Sequence, residues 1–152
     1  KNTGRPVSKD FDSGLVFWSH YTDAPTESLL PFGFGLSYST FEYSNFSVTP
    51  KEKGATVTVD VTNSSKIDGT ETVQVYVRDV VATVTQPVKR LVDFQQMEVS
   101  AGETRKVTFD LSEEDFGFYH KNYDFYAEDG VFDVMIGGNS RDLQSIGVTL
   151  SF

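Results

Sequence analysis

The sequence predicts an all-β fold, an antiparallel β-sandwich of about seven short strands with an irregular N-terminal extension. Three observations lead there. Apolar and polar residues alternate at period two in several separate runs, which places one face of each run in a core and the other in solvent. Clusters rich in Gly, Asp, Asn and Ser punctuate those runs. No stretch carries a convincing helical period.

The extension comes first. Residues 1–40 are rich in Gly, Pro, Ser and isolated aromatics, whereas residues 41–152 carry the alternation, so the domain boundary is expected near Thr40. The extension holds Phe11, Leu15, Val16, Phe17, Trp18, Tyr21, Leu29, Leu30, Phe32 and Phe34. That is too apolar for a solvated Gly/Ser linker, and the segment should lie against something.

Strands are expected in order beyond it. Weaker patterns cover Tyr43 to Val48 and Leu91 to Val99. Val57, Val59 and Val61 alternate with Thr56, Thr58, Asp60 and Thr62; Val73, Val75 and Val77 alternate with Thr72, Gln74, Tyr76 and Arg78. Val107, Phe109 and Leu111 follow, then Phe132, Val134 and Ile136, and finally Ile146, Val148, Leu150 and Phe152. The separating turns fall at Lys51 to Gly54, Ser64 to Gly69, Ser100 to Glu103, Glu128 to Gly130 and Gly137 to Ser140. In LSEEDFGFYH, Ser112 is expected to cap a single helical turn that Gly117 limits.

Composition excludes several functions. The 13 Lys plus Arg against 22 Asp plus Glu give a formal charge of −9, which argues against nucleic-acid and anionic-membrane partners. With no cysteine there is no disulfide framework, thiolate metal site or thiol nucleophile. His20 and His120 lie far apart without a second histidine at ligand spacing, so no metal site is expected. There is no Gly-Xaa-Ser-Xaa-Gly elbow and no Walker-type loop, and no cofactor is implied. No run of about 18 apolar residues exists, and the first residues carry no signal-peptide pattern. The start at Lys1, without Met, leads to the expectation of a piece of a longer chain.

One motif carries identity. In PFGFGLSY, residues 31–38, Gly33 and Gly35 interleave with Phe32 and Phe34, so rings can pack while the glycines allow special backbone geometry. This segment, followed by Thr40-Phe41, resembles the junction into the C-terminal domain of glycoside hydrolase family 3 enzymes. NTGRP at 2–6 and FWSHYTDAP at 17–25 resemble the end of that family's α/β-sandwich domain and the stretch leading out of it. VTNSSKIDGTETVQVYVRD at 61–79, QPVKRLVDFQQMEVSAGETRKVTFDL at 86–111 and DGVFDVMIGGNS at 129–140 resemble the family's fibronectin type III-like domain strand by strand. Asp93 stands where relatives are expected to have Gly or a basic residue, a surface-type departure.

The resemblance implies a division of the chain, with residues 1–40 as linker and tail of the preceding domain and residues 41–152 as the sandwich. It also implies a retaining β-glycosidase as parent, most often acting on β-glucosides, with two carboxyl groups ~5 Å apart. By resemblance the nucleophile is an Asp of an N-terminal barrel domain and the acid/base, where it is a Glu, belongs to the second domain, both upstream of Lys1. No catalytic residue is therefore expected here, and the partners implied are the upstream catalytic domains of the same polypeptide. Phe17, Trp18, Tyr21, Phe32 and Phe34 are the residues expected to pack between domains. Family habit implies a periplasmic or extracellular location.

The chain's own carboxylates do not suggest a pair. Glu113, Glu114 and Asp115 lie in a row, Glu128 and Asp129 are adjacent, and Asp12, Asp23 and Glu27 stand singly. Neighbouring carboxylates on an exposed turn point apart, whereas catalysis needs two convergent groups in different environments. The aromatic cluster Phe116, Phe118, Tyr119, Tyr123, Phe125 and Tyr126 has two readings. Its rings either pack and dock, or, as an autonomous carbohydrate-binding module would have it, Tyr119, Tyr123 and Tyr126 contact sugar. Asn45-Phe46-Ser47 and Asn63-Ser64-Ser65 fit the glycosylation sequon.

Overall fold

The alternating runs form strands. A computed structural model describes residues 28–152. In chain order the elements are β1 (Phe41–Lys51), β2 (Gly54–Asn63), β3 (Gly69–Asp79), β4 (Arg90–Val99), β5 (Thr104–Ser112), α1 (Glu113–Phe116), β6 (Phe118–Tyr119), β7 (Phe125–Tyr126), β8 (Gly130–Gly137) and β9 (Gln144–Leu150). Each of the seven runs expected from the sequence is a strand. The short β6–β7 pair was not foreseen, and the expected helical turn is α1.

Every pairing is antiparallel, giving one sheet ordered β1-β2-β5 and a second ordered β4-β3-β8-β9. The valines of β2 and β3 that alternate with polar residues are fully buried between the sheets, together with Phe109, Leu111, Val134 and Ile136. Their burial removes branched apolar surface from water at roughly 25 cal/mol per Å². Two irregularities bend the sheets. The β1–β2 register shifts between Ser44 and Ser47, where Asn45 takes a left-handed φ of 52°. The β3–β4 register shifts between Val75 and Tyr76, leaving Val92 without a partner in the ladder and packed on the core, next to the unusual Asp93.

The turn of α1 follows from local chemistry. The Ser112 amide and hydroxyl both donate to the Asp115 carboxylate, at 2.7 and 2.9 Å, and the Gly117 amide closes the turn on the Glu113 carbonyl at 2.9 Å. The turn drives Phe116 into the open end of the sandwich, edge-on to Phe132 at 5.1 Å. Phe152, expected as the last residue of the last strand, lies beyond β9 and brings its ring 5.5 Å from Phe116.

Strand direction sorts the loops to two ends. At one end the segment 28–40, the β2–β3 loop, the β4–β5 turn and the β8–β9 loop come together, tied by the Asn63 side-chain amide, which donates to the Ile67 and Val99 carbonyls. At the other lie the β1–β2 turn, the loop 80–89 and the connection 113–129. Ten residues of β2 at ~3.3 Å each separate the ends by roughly 33 Å.

Candidate functional site

Each end presents a surface built by the fold. At the first, the Phe34 amide donates to the Pro31 carbonyl at 3.1 Å and Gly33 takes φ 80°, a reverse turn that a left-handed glycine permits. A Cβ on Gly33 would lie 2.2 Å from Nε2 of Gln74, so the turn rests directly on β3. Gln74 is buried and used at both ends: its Nε2 donates to the Gly138 carbonyl at 2.9 Å, and its Oε1 accepts from the Tyr76 hydroxyl at 2.5 Å. The Ser140 amide donates to the Phe32 carbonyl at 2.8 Å, the Arg141 guanidinium donates to the Ser28 carbonyl, and the Ser39 hydroxyl bonds the Ile67 and Asp68 carbonyls.

The backbone of this lead is thus fastened while its side chains are bare. Phe32 is 67% and Phe34 48% exposed, and Leu29, Leu30, Leu36 and Tyr38 stand in solvent beside them. A contiguous apolar row of this kind marks an interaction surface. Phe17, Trp18 and Tyr21, expected to join it, lie outside the described residues.

Behind the lead sits a partly buried polar pair. The Tyr43 hydroxyl donates to Oε1 of Glu71 at 3.1 Å, joining the two sheets. Burial disfavours the ionised form of both groups, holding the Tyr43 phenol neutral and lifting the Glu71 carboxyl above the usual carboxylate range.

At the far end the connection 113–129 folds into the β6–β7 hairpin, pairing Phe118 with Tyr126 and Tyr119 with Phe125. The Arg90 guanidinium donates to the Gly117 and Asp115 carbonyls at 2.7 and 2.6 Å. The Phe125 ring covers Gly117 so closely that a Cβ there would fall 2.6 Å from it. On the inner face, His120 lies between Phe118 and Tyr126, its ring centroid 4.3 and 3.6 Å from theirs and parallel to Tyr126 within 2°. Its Nδ1 is 3.4 Å from Oε1 of Glu128 and its Nε2 is 3.2 Å from the Tyr126 carbonyl. Glu128 also accepts from the Thr83 amide at 3.1 Å and from the Thr83 hydroxyl, which ties the hairpin to loop 80–89.

The outer face of the hairpin is open. Tyr119 is 70% exposed and meets the Phe125 ring at 5.1 Å and 66°, while Tyr123, at φ 68°, is 88% exposed at the tip. Tyr126 has one ring face taken by His120. The structure therefore sets Tyr119 and Tyr123 on the open side and turns Tyr126 partly inward. The sequence did not show His120 or Arg90 as the residues that hold this arrangement.

The carboxylates considered from the sequence serve local structure. Glu113 pairs with Lys53 at 3.2 Å, Asp115 caps α1, Glu128 holds Thr83 and His120, and Asp129 accepts from the Phe152 amide at 2.8 Å. Asp12, Asp23 and Glu27 lie outside the described residues. Among the described residues no three His, Asp or Glu side chains form a group that could hold a metal ion. Of the two sequons, Asn45 is exposed, whereas Asn63 is fully buried with its amide committed to two carbonyls.

Residues 71–140 match the fibronectin type III-like domain family. The chain is similar to the thermostable β-glucosidase B of Acetivibrio thermocellus, 39% identical over 140 residues, covering 88% of this chain and 18% of that protein. It is similar to the periplasmic β-glucosidase of Salmonella typhimurium, 35% identical over 143 residues, 91% of this chain and 18% of that protein. Among solved structures, the GH3 β-glucosidase of Bifidobacterium adolescentis superposes with a TM-score of 0.76 at 41% identity, covering 79% of this chain and 18% of that one. The chain thus spans under a fifth of the length of these relatives.

Proposed function

Because the chain belongs to the fibronectin type III-like domains of glycoside hydrolase family 3, we propose that it is the non-catalytic C-terminal module of a longer β-glycosidase. It packs on the upstream catalytic domains of the same polypeptide and stabilises them. The parent enzyme hydrolyses terminal β-glycosidic bonds, β-glucosides foremost, by a retaining mechanism whose two carboxyl groups lie upstream. The parent works in the periplasm or outside the cell, a reading supported by the periplasmic relative.

One observation carries the docking role. The lead from Ser28 to Thr40 is fixed by hydrogen bonds from Ser39, Ser140 and Arg141, yet among the described residues nothing covers the Phe32 and Phe34 rings. A rigid backbone presenting bare rings binds with little ordering cost. Mixing this chain with the separately produced upstream part of the parent should raise that part's melting temperature. Phe32→Asp with Phe34→Asp should weaken the association at least roughly tenfold, which is about 1.4 kcal/mol. Failure of the unsubstituted chain to associate would overturn the reading.

A second reading, carbohydrate contact through Tyr119, Tyr123 and Tyr126, is favoured by the open outer face of the hairpin. The two readings use different surfaces of the sandwich.

A further inference from the structure

Resting on that second reading, we propose that Tyr119, Phe125 and Tyr123 form a preformed aromatic corner that stacks on the pyranose rings of a neutral, β-linked glucan or xylan chain. The first argument is shape. Tyr119 and Phe125 meet at 66° with centroids 5.1 Å apart, so the two rings make a floor and a wall, and Tyr123 stands 88% exposed in the turn that joins their strands. Pyranoses whose substituents are all equatorial present flat C–H faces, and the negative face of an aromatic ring attracts those hydrogens.

The second argument is rigidity. The corner does not hang on a free loop: Phe125 lies on Gly117, whose carbonyl is held by Arg90, and the inner face is pinned by the His120 stack and Glu128. Rings fixed in advance lose little freedom on binding. Tyr123 is kept at a left-handed φ by the hydrogen bond from its own amide to the His120 carbonyl, 3.0 Å. Backbone strain held by surrounding structure is a mark of positioned side chains.

The third argument is chemistry. The lead end is mainly aliphatic and phenylalanine, suited to another protein's apolar surface. The hairpin instead mixes phenol hydroxyls with Lys121, Asn122 and Asp124 around its tip, an amphipathic lining that matches hydroxyl-rich ligands. A chain of net charge −9 with one lysine at the tip disfavours polyuronates and other anionic glycans. The lead rests on Gln74 and Ser140 while the hairpin is held by Arg90 and Glu128, so the two surfaces share no anchoring residue.

Calorimetry and amide NMR on the 152-residue chain, with cellohexaose, laminarihexaose and xylohexaose as probes and a galacturonate hexamer as charged control, test the proposal. At least one neutral hexasaccharide should bind with a Kd between about 10 μM and 1 mM, about 4 to 7 kcal/mol. Tyr119→Ala and Tyr123→Ala should each weaken binding about tenfold without changing the melting temperature, and Tyr38→Ala, which removes an equally exposed ring at the other end, should leave it unchanged. Binding that survives both hairpin substitutions but is lost in Tyr38→Ala overturns the corner while leaving carbohydrate contact intact. No shift with any hexasaccharide at about 10 mM overturns both. Preference for the galacturonate hexamer, or protection of the hairpin amides by the upstream part of the parent alone, also overturns the corner, the latter in favour of a second interdomain contact.

Discussion

Glu71 shows how a single buried acid sets a pH response. Its carboxyl is lifted mainly by burial, against the smaller lowering from the Tyr43 hydroxyl and the Thr72 amide, so the folded chain holds a proton that the unfolded chain releases. Asp79 is shifted the same way by burial, with the nearby Glu128 charge adding to it. A carboxyl raised in the folded state contributes stability fully present below its unfolded value of about 4.3, and lost as pH rises through the folded value. Glu71→Gln keeps an oxygen for the Tyr43 hydroxyl and removes the ionisation. Urea unfolding between about pH 4 and 8 should show a shallower fall of stability with rising pH in the variant. It should be at least as stable as the parent sequence near neutrality. A variant curve parallel to the original across that range would show that Glu71 does not carry the slope.

Among the elements, the strands and the hairpin differ in what holds them. Each long strand is specified by its own alternation, because a slip of one residue would turn its valines to solvent. The β6–β7 pair has two residues per strand and depends for its place on the distant Arg90 and on Glu128 just beyond it, which is tied to Thr83. Arg90→Ala should therefore act locally. It leaves the Gly117 and Asp115 carbonyls without their charged donor, at a cost of about 1.5 to 3 kcal/mol. Hydrogen exchange should speed up across residues 117–126 and stay slow in β2. Equal acceleration in both would mean that the hairpin does not open separately. The same contrast explains what could be read from the sequence. Val57 to Val61 and Val73 to Val77 announced their strands, and Ser112 its cap, because those signals are local. That His120 would lie between Phe118 and Tyr126 while Tyr119 stays open follows from the register of the short β6–β7 hairpin, which carries no alternation of its own, and that the Asn63 sequon would be sealed follows from its bond to Val99, far along the chain.

For the molecule as a whole, the sandwich carries two separate exposed aromatic surfaces, the lead and the hairpin. The PFGF motif was legible as an anchored joint because its glycines and rings are adjacent in sequence; that Gly33 would rest on Gln74 of β3 follows from a contact between residues far apart in the chain. Between the two sheets lies a core of branched and aromatic side chains, and such interiors pack at the density of a solid. Sites out of contact that share no partner couple weakly, with interaction energies of roughly 0.3 to 0.5 kcal/mol or less. In a cycle combining Phe34→Asp with Tyr119→Ala, the first change should weaken association with the upstream part of the parent and leave hexasaccharide affinity unchanged, and the second should do the reverse. The double variant should show the sum of the single losses in each assay. A coupling above about 1 kcal/mol would mean that docking at the lead reshapes the hairpin or that one partner reaches both ends, and the independence of the two surfaces would have to be abandoned.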